Sequence, residues 1–301
     1  MRYTGSVNFI LWYLFIPLLI LFYVCFLFWS DQNYSNNSIK ELVSRKVEVT
    51  NNHSSIDGVI IGGSNAMFGI SASSLEKFTK LKWINLGIPG EGFSDINYLD
   101  FISKTIDPER RNNISYVIYS SSTFFKENLR PELQLDLYGK KKISYKPQRS
   151  LASYIKSSLG FNQKREFFLS NTYGDLDFSG YDCEIIPTIE INKQHFLQKE
   201  DLDIWLPMQL SRIVNLFPNA EIIITLPNGF YKNNNKRNKI LKEINKILSS
   251  YESIYGRYIH IESQKPYPSS DLMCVDYWHP NEKGREWRTK QLYNVLANSK
   301  K

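Results

Sequence analysis

Short apolar runs alternate with longer amphipathic stretches over most of the chain after residue 56. The runs Gly58–Ile61, Lys82–Leu86, Ile114–Tyr119, Ala220–Leu226 and Arg257–Ile261 have the length and composition of buried strands. Between them apolar residues recur at helical spacing. Leu75, Phe78 and Leu81 mark one helix, Ile96, Leu99 and Ile102 a second, and Trp205, Leu206, Leu210, Ile213 and Leu216 a third. Ile240, Ile244, Ile247 and Leu248 mark a fourth, and a last helix is expected from about Asn281 to Ala297. Strands that alternate with helices in this way predict an α/β domain with a parallel sheet and helices on both faces.

The pattern before residue 56 is different. Phe9 to Trp29 is an uncharged apolar and aromatic run of 21 residues, long enough as a helix to cross a hydrocarbon core about 30 Å thick. Trp12, Tyr13 and Trp29 suit the two interfaces. A cleaved signal peptide is the competing reading; it would have a shorter core and a small-residue cleavage site, and none follows Trp29. The expected organisation is a tail over 1–8, a transmembrane anchor over 9–29, a polar stalk over 30–55 with a short helical piece at Ile39–Val47, and an α/β domain over 56–301. Within that domain, residues 126–201 are rich in turn signals and read as an irregular insertion.

Charge and cysteine content add little. The 301 residues carry a net charge of +7, with basic and acidic residues mostly interspersed. There is no nucleic-acid motif, no plausible metal cluster and no phosphate loop, so neither nucleic acid nor a cofactor is expected. Positive residues are nearly balanced across the apolar run, so charge alone does not orient it. Cys25 falls inside that run; Cys183 and Cys274 either pair or remain two buried thiols.

Two stretches carry candidate chemistry. The first is Asp57-Gly-Val-Ile-Ile-Gly-Gly-Ser64-Asn-Ala-Met-Phe-Gly-Ile70. A strand that breaks at two glycines and turns into a helix leaves Ser64 at the carboxyl end of the sheet, where open α/β folds place their chemistry. Read alone, the same residues also describe a turn with a helix cap. The second is Cys274-Val-Asp276-Tyr-Trp-His279-Pro280. Of four histidines, His279 alone follows an acid by three residues in a turn just before a helix. A carboxylate on one ring nitrogen leaves the other to take a proton from a serine.

These residues resemble the SGNH (GDSL-like) hydrolases and acyltransferases, in particular a membrane-anchored branch that O-acetylates bacterial surface polysaccharides. Gly62-Gly63-Ser64-Asn65 stands where that family has Gly-Asp-Ser-Leu. Asn85-Leu-Gly87-Ile-Pro-Gly90 resembles its second block, and Asp276-x-x-His279-Pro280 its Asp-x-x-His block. The resemblance implies a flavodoxin-like three-layer sandwich, with Ser64 as nucleophile, His279 as base and Asp276 as its orienting acid. It also implies an oxyanion hole from the backbone N–H groups of Ser64 and Gly90. Two departures stand out. Gly63 replaces the family's acid, and the third strand runs into Ser120-Ser121-Ser122-Thr123 without the family's Asn, so Ser122 is expected as the third donor.

By the same resemblance the chain is expected to be a single-pass protein of the bacterial cytoplasmic membrane with a periplasmic catalytic domain. Its acceptor would be a surface glycan or its lipid-linked precursor, and a multispanning membrane protein would deliver the acyl group. A general membrane-bound carboxylesterase or lipase, and a non-catalytic glycan-binding assembly subunit, are the alternatives.

Overall fold

A computed structural model describes residues 15–23, 25, 42–88, 95–120, 172–178, 199–225, 235–255, 259–261, 267–276 and 279–299. It separates into two units, one of Met1–Glu41 with Lys146–Glu166 and one of Leu42–Tyr145 with Phe167–Lys301. In the first unit, residues 15–23 and 25 are helical. The apolar side chains from Phe15 to Tyr23 are exposed, Phe22 by 71%. No helix among the described residues is long and apolar enough to cross a membrane. The rest of the apolar run over 9–29 lies outside the described residues.

The second unit is the α/β domain. Its elements in chain order are α1 (residues 42–52), β1 (Gly58–Gly62), α2 (Ser64–Gly69), α3 (Ala72–Thr79), β2 (Trp83–Asn85), α4 (Asp95–Thr105), α5 (Pro108–Asn112) and β3 (Tyr116–Ser120). Then come α6 (Lys199–Leu216), β4 (Glu221–Thr225), α7 (Asn235–Tyr255), β5 (Ile259–Ile261), the hairpin strands β6 (Met273–Asp276) and β7 (His279–Pro280), and α8 (Glu282–Ser299). Strands β1 to β5 form one parallel sheet in the order β2-β1-β3-β4-β5. That is the doubly wound, flavodoxin-like order.

Both faces of the sheet are covered, and this is why its strands read as unbroken apolar runs rather than alternating ones. Val59, Ile61, Val117, Tyr119, Ile222 and Ile224 face a core shared with residues of α1, α4, α6 and α7. Ile60, Ile118, Ile223 and Trp83 face a second core with Ala72 and Leu75 of α3 and Leu292 and Leu296 of α8. The layers are helix, sheet, helix.

The stalk boundary expected at residue 55 moves. Leu42 and Val49 of α1 are buried in the first core, and Lys46 and Thr50 beside them are fully buried. The packed domain therefore starts at about residue 42. Most of the expected insertion over 126–201 lies outside the described residues. Its described part, residues 172–178, runs beside the end of β2, where the Asn85 N–H donates to Tyr173 O at 2.8 Å.

Candidate active site

The chain order β2-β1-β3 reverses direction between β1 and β3, which makes the carboxyl ends of these two strands the switch point where doubly wound folds bind ligands. Gly62 and Ser120 are register partners at that point. Gly62 has φ +136°, and a Cβ there would fall 1.7 Å from Ser120 O. Only glycine fits this turn. The turn is held from both sides. Gly63 N–H donates to Ser120 O at 3.1 Å, and Gly62 N–H donates to Tyr98 Oη at 2.9 Å, which in turn donates to Leu86 O at 2.9 Å.

Ser64 is the first residue of α2, preceded by Gly63 in extended conformation as the cap. It is half-buried, whereas Asn65 to Gly69 behind it are buried. A helix of six residues can close few of its own hydrogen bonds, and β2 supplies others. Asn85 Nδ2 donates to Ala66 O at 3.1 Å and to Ile70 O at 2.8 Å, while its Oδ1 accepts from Gly87 N–H at 2.9 Å. Gly87 is required by crowding, since a Cβ there would lie 2.6 Å from Met67 N.

His279 arrives from the other end of the chain on the β6–β7 hairpin. Asp276 and His279 are directly opposed partners in this antiparallel ladder, and Met273 pairs with Pro280. Opposed positions are the closest cross-strand neighbours a hairpin offers. Asn281 anchors the far end. Its N–H donates to Leu272 O at 2.9 Å, and its Oδ1 accepts from Gly284 N–H at 3.0 Å, capping α8. The hairpin is also covalently tied, because buried Cys274 is disulfide-bonded while Cys25 is free.

The hairpin meets α2 directly. The His279 ring lies 4.7 Å from the Phe68 ring, tilted by 56°. Phe68 is four residues after Ser64 in α2, and residues at that spacing share one helix face. Phe68 also meets Phe178 edge to face at 6.1 Å, and the Arg285 guanidinium sits 4.6 Å over the Phe178 ring. Of the expected site residues, Ser64 opens α2, whose Phe68 meets His279, and Asp276 is the register partner of His279. Gly90 and Ser122 lie outside the described residues.

Several buried polar groups around the site are absent from the sequence reading. Asp175, fully buried, accepts from Ala72 N–H at 2.7 Å, Ser73 N–H at 3.0 Å and the hydroxyls of Ser71 and Ser73, at the start of α3. Lys46 Nζ donates to Asn85 O at 2.8 Å and Gly174 O at 2.6 Å. Burial drives its pKa down to about 7, against the pull of Asp175. Burial also lowers the Arg285 guanidinium, with Asp175 opposing; its Nη1 donates to Leu176 O. Arg288, fully buried, donates from Nη1 to Asn65 O and from Nη2 to the Ser120 and Thr225 hydroxyls, each at 3.0 Å. One signal for the two arginines exists in sequence. Stepping back from Leu296 and Leu292 at helical spacing reaches positions 288 and 285.

No protein-family model matches the chain, and no curated protein matches it. Solved structures similar to it include an active-site mutant of a family two carbohydrate esterase from Clostridium thermocellum, with 9% identity over 81% of this chain and 63% of that one, at a TM-score of 0.44. An acetyl xylan esterase from the rumen bacterium Butyrivibrio proteoclasticus shares 12% identity over 82% of this chain and 64% of that one, at 0.42. Phospholipase A1 from Streptomyces albidoflavus shares 13% identity over 81% and 99%, at 0.38. The chain spans just under two thirds of the length of the first two. Likeness at this level is one of general outline, and the fold is established by the sheet order itself.

Proposed function

We propose that this chain is a serine-dependent acyl-ester enzyme, a hydrolase or O-acyltransferase of SGNH type. The observation that carries the reading is the His279 ring seated on Phe68 of α2, the helix that Ser64 opens just after β1. A hydroxyl is a weak nucleophile until a neighbouring base takes its proton. In the proposed reaction His279 accepts the Ser64 proton as Oγ attacks the ester carbonyl, and Asp276, its hairpin partner, stabilises the imidazolium. The N–H groups of Ser64 and Gly90 hold the oxyanion. Collapse expels the alcohol, which takes the proton from His279. Water or a sugar hydroxyl then attacks the acyl-enzyme as His279 takes its proton, and the Ser64 Oγ–acyl bond breaks with that proton returning from His279 to Oγ, which releases the acid or the new ester.

The proposed setting is the outer face of a bacterial cytoplasmic membrane, with residues 9–29 as a lipid-embedded anchor and a surface polysaccharide or its lipid-linked precursor as acceptor. The exposed apolar helix at 15–23 supports the anchor. The disulfide at Cys274 supports an oxidising compartment. A multispanning partner would supply the acyl group.

The test is labelling of the full chain, in detergent, with a fluorophosphonate probe. One label on Ser64 is expected, absent in Ser64→Ala and slowed about a thousandfold or more in His279→Ala. Labelling of His279→Ala at the rate of the unmodified protein overturns the reading. Loss of polymer-bound acyl groups in cells carrying Ser64→Ala would identify the acceptor.

A further inference from the structure

We infer that Arg288 is a positioning residue for the nucleophile turn, an inference that rests on Ser64 being the reactive residue. Its guanidinium joins three elements at the switch point. Nη1 donates to Asn65 O, the carbonyl immediately after Ser64, and Nη2 donates to Ser120 Oγ and Thr225 Oγ1. Ser120 and Thr225 are themselves register partners at the carboxyl ends of β3 and β4, and Ser120 is the partner of Gly62 on β1. One rigid planar group therefore fixes the Asn65 carbonyl relative to the strand ends that frame the site.

Gly69 is matched to this arrangement. A Cβ at position 69 would lie 2.2 Å from Arg288 Nη1 and 3.2 Å from Cζ. The guanidinium thus lies under α2, against its backbone, in space that a side chain would fill. Lysine cannot reproduce the contact set. Its ammonium is a single point of donation, whereas the guanidinium fork reaches separated acceptors at fixed angles. The peptide plane held by Arg288 is one removed from Ser64. Small displacements there move the hydroxyl and its N–H relative to the acyl carbon, and misplacement by about 1 Å can cost a hundredfold in rate.

The experiment uses the full chain in detergent, with Arg288→Lys, Ser120→Ala, Thr225→Val and the double variant Ser120→Ala/Arg288→Lys. Each is checked for folding by thermal melting and titrated with a fluorophosphonate probe to separate the maximal labelling rate from the probe concentration at half-rate. Arg288→Lys should lower the maximal rate at least tenfold with the half-rate concentration unchanged. The single hydroxyl variants should give smaller losses. The double variant should label no more slowly than Arg288→Lys alone, because both changes break one network.

Amide hydrogen exchange at residues 65–69 is measured in parallel and should speed up at least tenfold in Arg288→Lys. Folded variants that label at the unmodified rate, or losses that simply multiply in the double variant, overturn the inference. Failure of the unmodified protein to label at all would instead strike the acyl-enzyme reading. The exchange data then decide Arg288 separately, since unchanged protection at 65–69 refutes its positioning role.

Discussion

Lys46 makes stability rise with pH in the alkaline range, the reverse of a lysine whose pKa is raised by a partner. Its side chain is fully buried, and burial lowers its pKa from 10.5 to about 7. Below pH 7 it is charged in both folded and unfolded chains, and the full desolvation cost is present. Between pH 7 and 10.5 the unfolded chain holds a proton that the folded protein has released. The unfolded state then binds more protons, so stability rises with pH, by about 1.4 kcal/mol per unit from this one group. Lys46→Met removes the titration and also the donors to Asn85 O and Gly174 O, two carbonyls whose loss of a partner costs about 1–3 kcal/mol each. Urea unfolding of both proteins at pH 7.5, 8.5 and 9.5 isolates the effect. The stability of the unmodified protein relative to Lys46→Met should increase by about 2–3 kcal/mol over those two units. Parallel stability curves would refute the assignment of a neutral buried amine at alkaline pH.

Two further outcomes follow from the same neighbourhood. Gly62→Ala must place a Cβ at φ +136° and 1.7 Å from Ser120 O; backbone strain and overpacking together should cost about 3–6 kcal/mol, read as a lowered melting temperature with Ser64 labelling lost. Asp175→Asn keeps the shape but removes the anion that receives two N–H groups and two hydroxyls. It should destabilise by about 3–5 kcal/mol and, because Asp175 raises the Lys46 pKa, shift the onset of the rising pH–stability slope to lower pH.

The strands were legible because a parallel sheet buried on both faces leaves unbroken apolar runs, and the sequence boundaries of β1, β2 and β4 fall within one residue or so of the observed ones. α8 was expected to within two residues of its observed ends and α1 in part, as a stalk piece at Ile39–Val47, but the polar members of their buried faces were not. Leu42, Lys46, Val49 and Thr50 follow helical spacing, and so do Arg285, Arg288, Thr289, Leu292 and Leu296. In both helices a cation occupies the buried stripe and breaks the apolar periodicity on which a sequence reading depends. The helical pattern expected after the glycines starts only near Ser71, because Ser-Asn-Ala-Met-Phe-Gly is short and has no amphipathic period, so α2 itself is not distinguished from a turn with a helix cap. Asp175 sits in a stretch whose turn signals say nothing of the α3 amides it receives. Ser64, Asp276 and His279 stood out by residue type and spacing, yet no sequence pattern could show that Phe68 would bring the histidine to α2.

The donors that serve α2 have their physical origin in the shortness of that helix. Six residues leave most of the helix's carbonyls without an intrahelical donor, and each buried carbonyl left unpaired costs about 1–3 kcal/mol. The fold answers with donors from distant segments. Asn85 serves Ala66 and Ile70, and Arg288 serves Asn65. A longer helix would satisfy itself, and its first residue would then be placed by its own hydrogen bonds. Here the position of Ser64 is set by β2 and α8, the second of which begins two residues after Pro280. The hairpin that carries His279 and the helix that carries Arg288 are thus one continuous piece of chain, joined through the Asn281 cap. A rigid shift of that piece would move the imidazole and the support of Ser64 together, so their relative geometry is protected by covalent continuity as well as by packing.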